Sequence, residues 1–154
     1  MVGPRKRFKL ADSAQQVVGG FLLAGPFVVT EEVWVLAANM STIHGLITVA
    51  IVFAIGYGAL YKADDGRNPD REVEVGGIPL RFVSLMLVSF GSVAILALAF
   101  TAPDTFLVGD GDGILTTAAD ATPTDTEIAV TTLKAISVGA IFSVVGAATA
   151  DSLL

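Results

Sequence analysis

The sequence predicts an all-α, polytopic membrane protein: a bundle of four transmembrane helices with both termini on the cytoplasmic side (N-in/C-in). Three observations carry that prediction. The 154 residues are 53% hydrophobic, with a mean hydropathy of +0.74, above the roughly 45–50% apolar content of soluble domains. The apolar residues fall in nearly charge-free blocks of about 20, the length a helix needs to cross a bilayer. The basic residues collect on alternate connections, as the positive-inside bias requires.

Residues 1–13 are a basic leader carrying Arg5, Lys6, Arg7 and Lys9, which places this end in the cytoplasm. Asp12 or Ser13 suits the cap of the first helix. A signal peptide is excluded, because the run that follows is too long for an h-region, holds two acids and lacks a cleavage site. The first span covers about residues 15–38, with Trp34 toward its outer end as an aromatic-belt residue. Pro26 frees the Leu22 carbonyl and predicts a kink. A tight outer turn at 39–42 leads to the second span, about 43–61. The cytoplasmic loop 62–79 has turn signals at Asp65–Gly66 and Asn68–Pro69 and, with Arg81, holds most remaining basic residues. The third span, about 80–102, stops at Pro103. The outer loop, 104–127, is acidic, free of Lys and Arg, and expected to be flexible. The fourth span, about 128–150, leaves Asp151 in a short cytoplasmic tail.

Composition excludes several function classes. Without cysteine there are no disulfides or thiolate metal sites, and no metal or cofactor is expected. A net charge of −6 and a pI near 4.5 leave no basic face for nucleic acid. The acids gather in loops, a pattern that points to a salt-loving host. Asp110 and Asp112 begin like a calcium loop, but Ile114 and Ala121 stand where further oxygen ligands belong. Residues 109–112 also spell the Gly-x-Gly-Asp of membrane aspartyl proteases, but in a loop rather than a span. A retinal pump needs seven helices. No nucleophile–base pair is visible, so an enzyme is not expected.

Glu31 and Glu32 are the candidate functional pair. An ionised acid near a span's centre costs about 2.5–3.5 kcal/mol on an insertion scale, while each neighbouring Val, Leu or Phe returns only about 0.3–0.6. Adjacent helical residues point about 100° apart, and Glu31 shares its stripe with Gly20, Ala24, Phe27 and Trp34, which makes it the inward-facing acid. Such a carboxyl suits a monovalent cation or a proton; the structural alternative is a group that holds helices in register, paired with Lys134 or His44. Thr30 and His44 are modulating neighbours, His44 reading equally as a hydrogen-bonded cap and Lys134 as a snorkelling surface charge. Gly20 and Ala24, with Ala135, Gly139, Ser143 and Ala147 at i+4 spacing, form small-residue packing faces, within the chain or between copies. Ser84, Ser89, Ser92 and Thr48 either line a path or bond their own backbone.

The run from Gly19 to Trp34, with its Pro…Thr-x-Glu-x-Trp-like signature at Pro26, Glu32 and Trp34, resembles the opening helix of a prokaryotic integral membrane protein family, domain of unknown function 2391. The final span from Ser137 to Asp151 is similar to that family's small-residue closing helix, and the acidic loops match a haloarchaeal-type member. The resemblance implies the membrane topology and assigns no activity. Together these readings predict a homo-oligomeric, multi-pass protein of the cell membrane embedded in the lipid bilayer. The expected function is an ion channel or an ion- or proton-coupled transport unit; the alternative is a non-transporting membrane scaffold or accessory subunit.

Overall fold

The computed structural model describes residues 10–62, 68–119 and 121–153. Its helices are α1 (Leu10–Val28), α2 (Glu31–Asn39), α3 (Thr42–Tyr57, continued by a π-helical turn Gly58–Lys62), α4 (Leu80–Ala99), α5 (Ile114–Ala119) and α6 (Asp125–Leu153). Between α3 and α4 lies a small hairpin of β1 (Glu74–Val75) and β2 (Ile78–Pro79). Three helical segments, Thr42–Lys62, α4 and α6, are long and apolar enough to cross a membrane. A fourth qualifies only if α1 and α2 are counted together, and the chain bends by 80° between them. The molecule is an all-α polytopic membrane protein, but its expected first span is two helices rather than one kinked rod.

The hub of the bundle is α6, which packs against α1, α2, α3 and α4. At about 1.5 Å per residue its 29 residues extend about 43 Å, longer than a hydrocarbon core. Its small-residue ribbon packs inside the chain: Ala135, Gly139, Ser143 and Ala147 are all buried, as are Gly20 and Ala24 on α1. Small side chains let the two backbones meet at Gly19 and Gly146, where a Cβ on either residue would stand 2.1–2.2 Å from the other's carbonyl oxygen. Beside that crossing, Ser143 Oγ lies 2.8 Å from Ser92 Oγ and donates to Gly20 O at 3.1 Å. Ser89 and Thr48 instead donate to their own helices, at Leu85 O and His44 O. Bonding the i−4 carbonyl satisfies a hydroxyl where no water is at hand.

Two further expectations change. The stretch expected to be a flexible loop begins with folded structure: a π-helical turn, Pro103–Val108, precedes α5, Leu107 is fully buried, and Phe106 stacks on Trp34. Asp151 is no tail residue, since α6 runs past it and buries it. The starts of α1 and α4 and the end of α6 meet there through Asp12, Arg81 and Asp151, at one end of the bundle.

Candidate functional site

At one end of the bundle the site is built by the break between α1 and α2. Pro26 lacks the N–H that would bond Leu22, which weakens the last turn of α1. The helix nonetheless continues past Pro26 and stops at Val28. There the freed carbonyls find side-chain donors: Thr30 Oγ1 donates to Phe27 O at 3.1 Å and Trp34 Nε1 to Val28 O at 3.0 Å. Thr30 is extended (φ −104°, ψ 131°) and turns the chain into α2. Trp34 is only 1% exposed and lies against Phe106, with centroids 5.9 Å apart. It is therefore a buried fastener of the bend and not the aromatic-belt residue expected. Its burial follows from the bend, which turns the face carrying Val33, Trp34 and Ala37 onto the bundle.

Glu31 and Glu32 occupy the first turn of α2, and both are exposed. The inward direction expected for Glu31 is not found. An unbroken helix would have set both acids inside a span, whereas the break gives them a helix N-terminus. There the dipole favours a carboxylate by about 0.3–1 kcal/mol. With Val35, Leu36 and Asn39 they line an open groove on the outside of α2. The helix needs that charge, because the Thr30 hydroxyl is engaged behind it and makes no cap bond.

The predicted neighbours are elsewhere occupied. His44 and Ser41 form a reciprocal capping box at the start of α3: the Ser41 N–H donates to His44 Nδ1, and the His44 N–H donates to Ser41 Oγ, both at 3.3 Å. Lys134 Nζ donates to Met40 O at 2.6 Å, tying α6 to the turn between α2 and α3. The expected pairing of Lys134 or His44 with Glu31 or Glu32 is not formed, and the Thr30 hydroxyl and N–H both donate to Phe27 O within the bend. A backbone carbonyl in the adjoining turn is simply nearer to the Lys134 ammonium. Among the described residues no group of three or more acids and histidines is placed to hold a metal ion.

A second polar cluster, unforeseen as a unit, closes the end where α1 and α4 start and α6 finishes. Arg81 is 4% exposed and reaches three carboxylates on three separate segments. Nη1 donates to Asp151 at 2.8 Å, Nε to Glu72 at 3.1 Å and Nη2 to Asp12 at 3.4 Å. Tyr61 Oη donates to the other oxygen of Glu72 at 2.6 Å. Next to them Ser84 Oγ donates to Gln16 Oε1 at 2.7 Å and lies 3.1 Å from Ser13 Oγ. A guanidinium suits this place because its planar fork serves several acceptors at once. The signal was present: with alternating spans, Asp12, Arg81 and Asp151 must all fall at the same end. Read only as a positive-inside charge, Arg81 concealed it.

Between the two ends the interior is tightly packed. The void beside Trp34, lined by Phe27, Val28, Val93 and Gly139 among others, is apolar and too small to admit water. The arrangement can fasten helices at both ends, and it presents two carboxylates outward.

No curated protein and no solved structure matches the chain. A family profile, that of the integral membrane protein family DUF2391, does match, over residues 5–102. The match takes in Pro26, Glu32 and Trp34 and ends before α6, so the likeness read at the closing helix lies outside it. Because those residues make up more than half of the chain, the protein belongs to this integral membrane protein family.

Proposed function

We propose that this protein is a non-transporting membrane scaffold or accessory subunit, without catalytic activity, held N-in/C-in in the cell membrane. One observation carries the reading: the interior where α1, α4 and α6 meet is closed. Gly19 and Gly146 touch there, and Ser143 bonds both to Ser92 and to the Gly20 carbonyl. Glu31 and Glu32 lie outside this closed core, so a polar route between the inner charge cluster and the acids has no space within one chain. The orientation rests on the basic leader and inner loop.

The competing reading is cation or proton transport at an interface between copies. It is favoured by the open groove that Glu31 and Glu32 line with Val35, Leu36 and Asn39, a surface that a second copy could close. Reconstitution into liposomes separates the two. Sodium, potassium and proton flux are measured for the wild type, Glu31→Gln and Glu32→Gln. Equal background flux in all three fits the scaffold; flux that the substitutions abolish overturns it in favour of the interfacial site.

A further inference from the structure

The hairpin between α3 and α4 carries an apolar face that nothing in the described chain covers. Gly76 and Gly77, with φ of +61° and +84°, make its two-residue turn, a conformation that favours glycine. The register sets Val75 opposite Ile78 and Glu74 opposite Pro79. The Leu80 N–H donates to Val73 O at 2.7 Å, which carries the pairing one residue further. Strand alternation then puts Val73, Val75 and Ile78 on one face and Glu74 on the other. Those three aliphatic side chains are 52%, 57% and 49% exposed.

We propose that this face lies on the bilayer surface, seated at the boundary between headgroups and acyl chains, and that Glu72 holds it there. The occupant follows from continuity. The hairpin runs directly into Leu80, the first residue of a 20-residue helix apolar enough to cross the membrane. At about 3.3 Å per residue, Ile78 and Val75 fall within roughly 7–17 Å of that helix start along the chain. A headgroup layer is about 5–7 Å deep on each side of the hydrocarbon, so the hairpin starts within it. The orientation is set by two attachments: α4 follows β2, and Glu72 before β1 accepts from both Tyr61 Oη and Arg81 Nε. The Glu72 side chain is 8% exposed, and through it the loop is fastened to the end of α3 and the start of α4. This inference rests on membrane embedding and not on the scaffold reading.

The chain has no cysteine, so single cysteines can be labelled cleanly. Ile78→Cys, Val75→Cys and Glu74→Cys, each carrying an environment-sensitive fluorophore, are reconstituted in phosphatidylcholine–phosphatidylglycerol vesicles. Lipids bearing a nitroxide serve as quencher. Leu87→Cys, on the exposed face of α4, reports embedding itself. Labels at 75 and 78 should emit to the blue of the label at 74 and be quenched by the lipid nitroxide, while the label at 74 stays water-like. Adding Glu72→Ala should shift the labels at 75 and 78 toward water-like emission. With the label at 87 quenched, three results would each overturn the proposal. These are water-like emission at 75 and 78, equal quenching at 74 and 78, or blue emission without lipid quenching, which would place a protein partner or second copy on the face. An unchanged signal after Glu72→Ala would overturn the tether.

Discussion

Gly146→Ala tests the packing of α1 on α6 with one methyl group. The added Cβ would stand 2.2 Å from Gly19 O and 2.9 Å from Leu23 Cγ. The first of these atoms is backbone and cannot rotate away, so the helices must part by roughly 1 Å, enough to forfeit about a quarter to a half of the local dispersion attraction. Overpacking of this kind costs about 1–3 kcal/mol, and the rigid neighbour puts the expected loss at the upper end. Gly91, in the middle of α4, supplies the internal control, because a Cβ there meets nothing within 4 Å. In mid-helix, Gly91→Ala should stabilise by about 0.5–1 kcal/mol from backbone entropy alone. Both variants are unfolded in mixed micelles by increasing SDS, followed by circular dichroism. Opposite signs are expected; equal midpoints for Gly146→Ala and Gly91→Ala would refute the close crossing and the central place of α6.

Trp34→Phe keeps an aromatic ring in the bend but gives up the indole N–H and some buried volume, and the Val28 carbonyl left without its donor should by itself destabilise by about 1–3 kcal/mol in the same SDS titration. Ser143→Ala removes the bonds to Ser92 and to the Gly20 carbonyl and should cost about 1 kcal/mol, with helix content unchanged by circular dichroism. Glu31→Gln and Glu32→Gln, at an exposed first turn, should each cost no more than about 0.3–1 kcal/mol, and the loss should shrink in high salt; a salt-independent loss of several kcal/mol would mean that the acids are buried.

Much of the site was legible in its residues and illegible in its geometry. The sequence marked Pro26, Thr30, Glu31, Glu32 and Trp34 as one unusual stretch, and all five form or flank the bend. Periodicity assumes an unbroken helix, however, and an 80° turn at residues 29 and 30 invalidates every facing direction drawn across it. The inward direction expected for Glu31 rests on Gly20, Ala24 and Phe27, which lie across that turn; within α2 it is Val33, Trp34 and Ala37 that are buried while Glu31 is exposed. Likewise Arg81 obeyed the positive-inside bias, but its enclosure by Asp12, Glu72 and Asp151 depends on segments about 9 to 70 residues away in the chain.

The sequence by itself determined the membrane class, the helical blocks and the small-residue faces, because hydrophobic length and i+4 spacing are local properties written in neighbouring residues. Tertiary structure alone decided where the first block breaks and which helix sits at the centre. It also decided which charges are enclosed. Those outcomes depend on donors reaching carbonyls across a bend, on two glycine backbones meeting, and on the start of α1 converging with the end of α6, and contacts between distant segments leave no periodic mark in the chain.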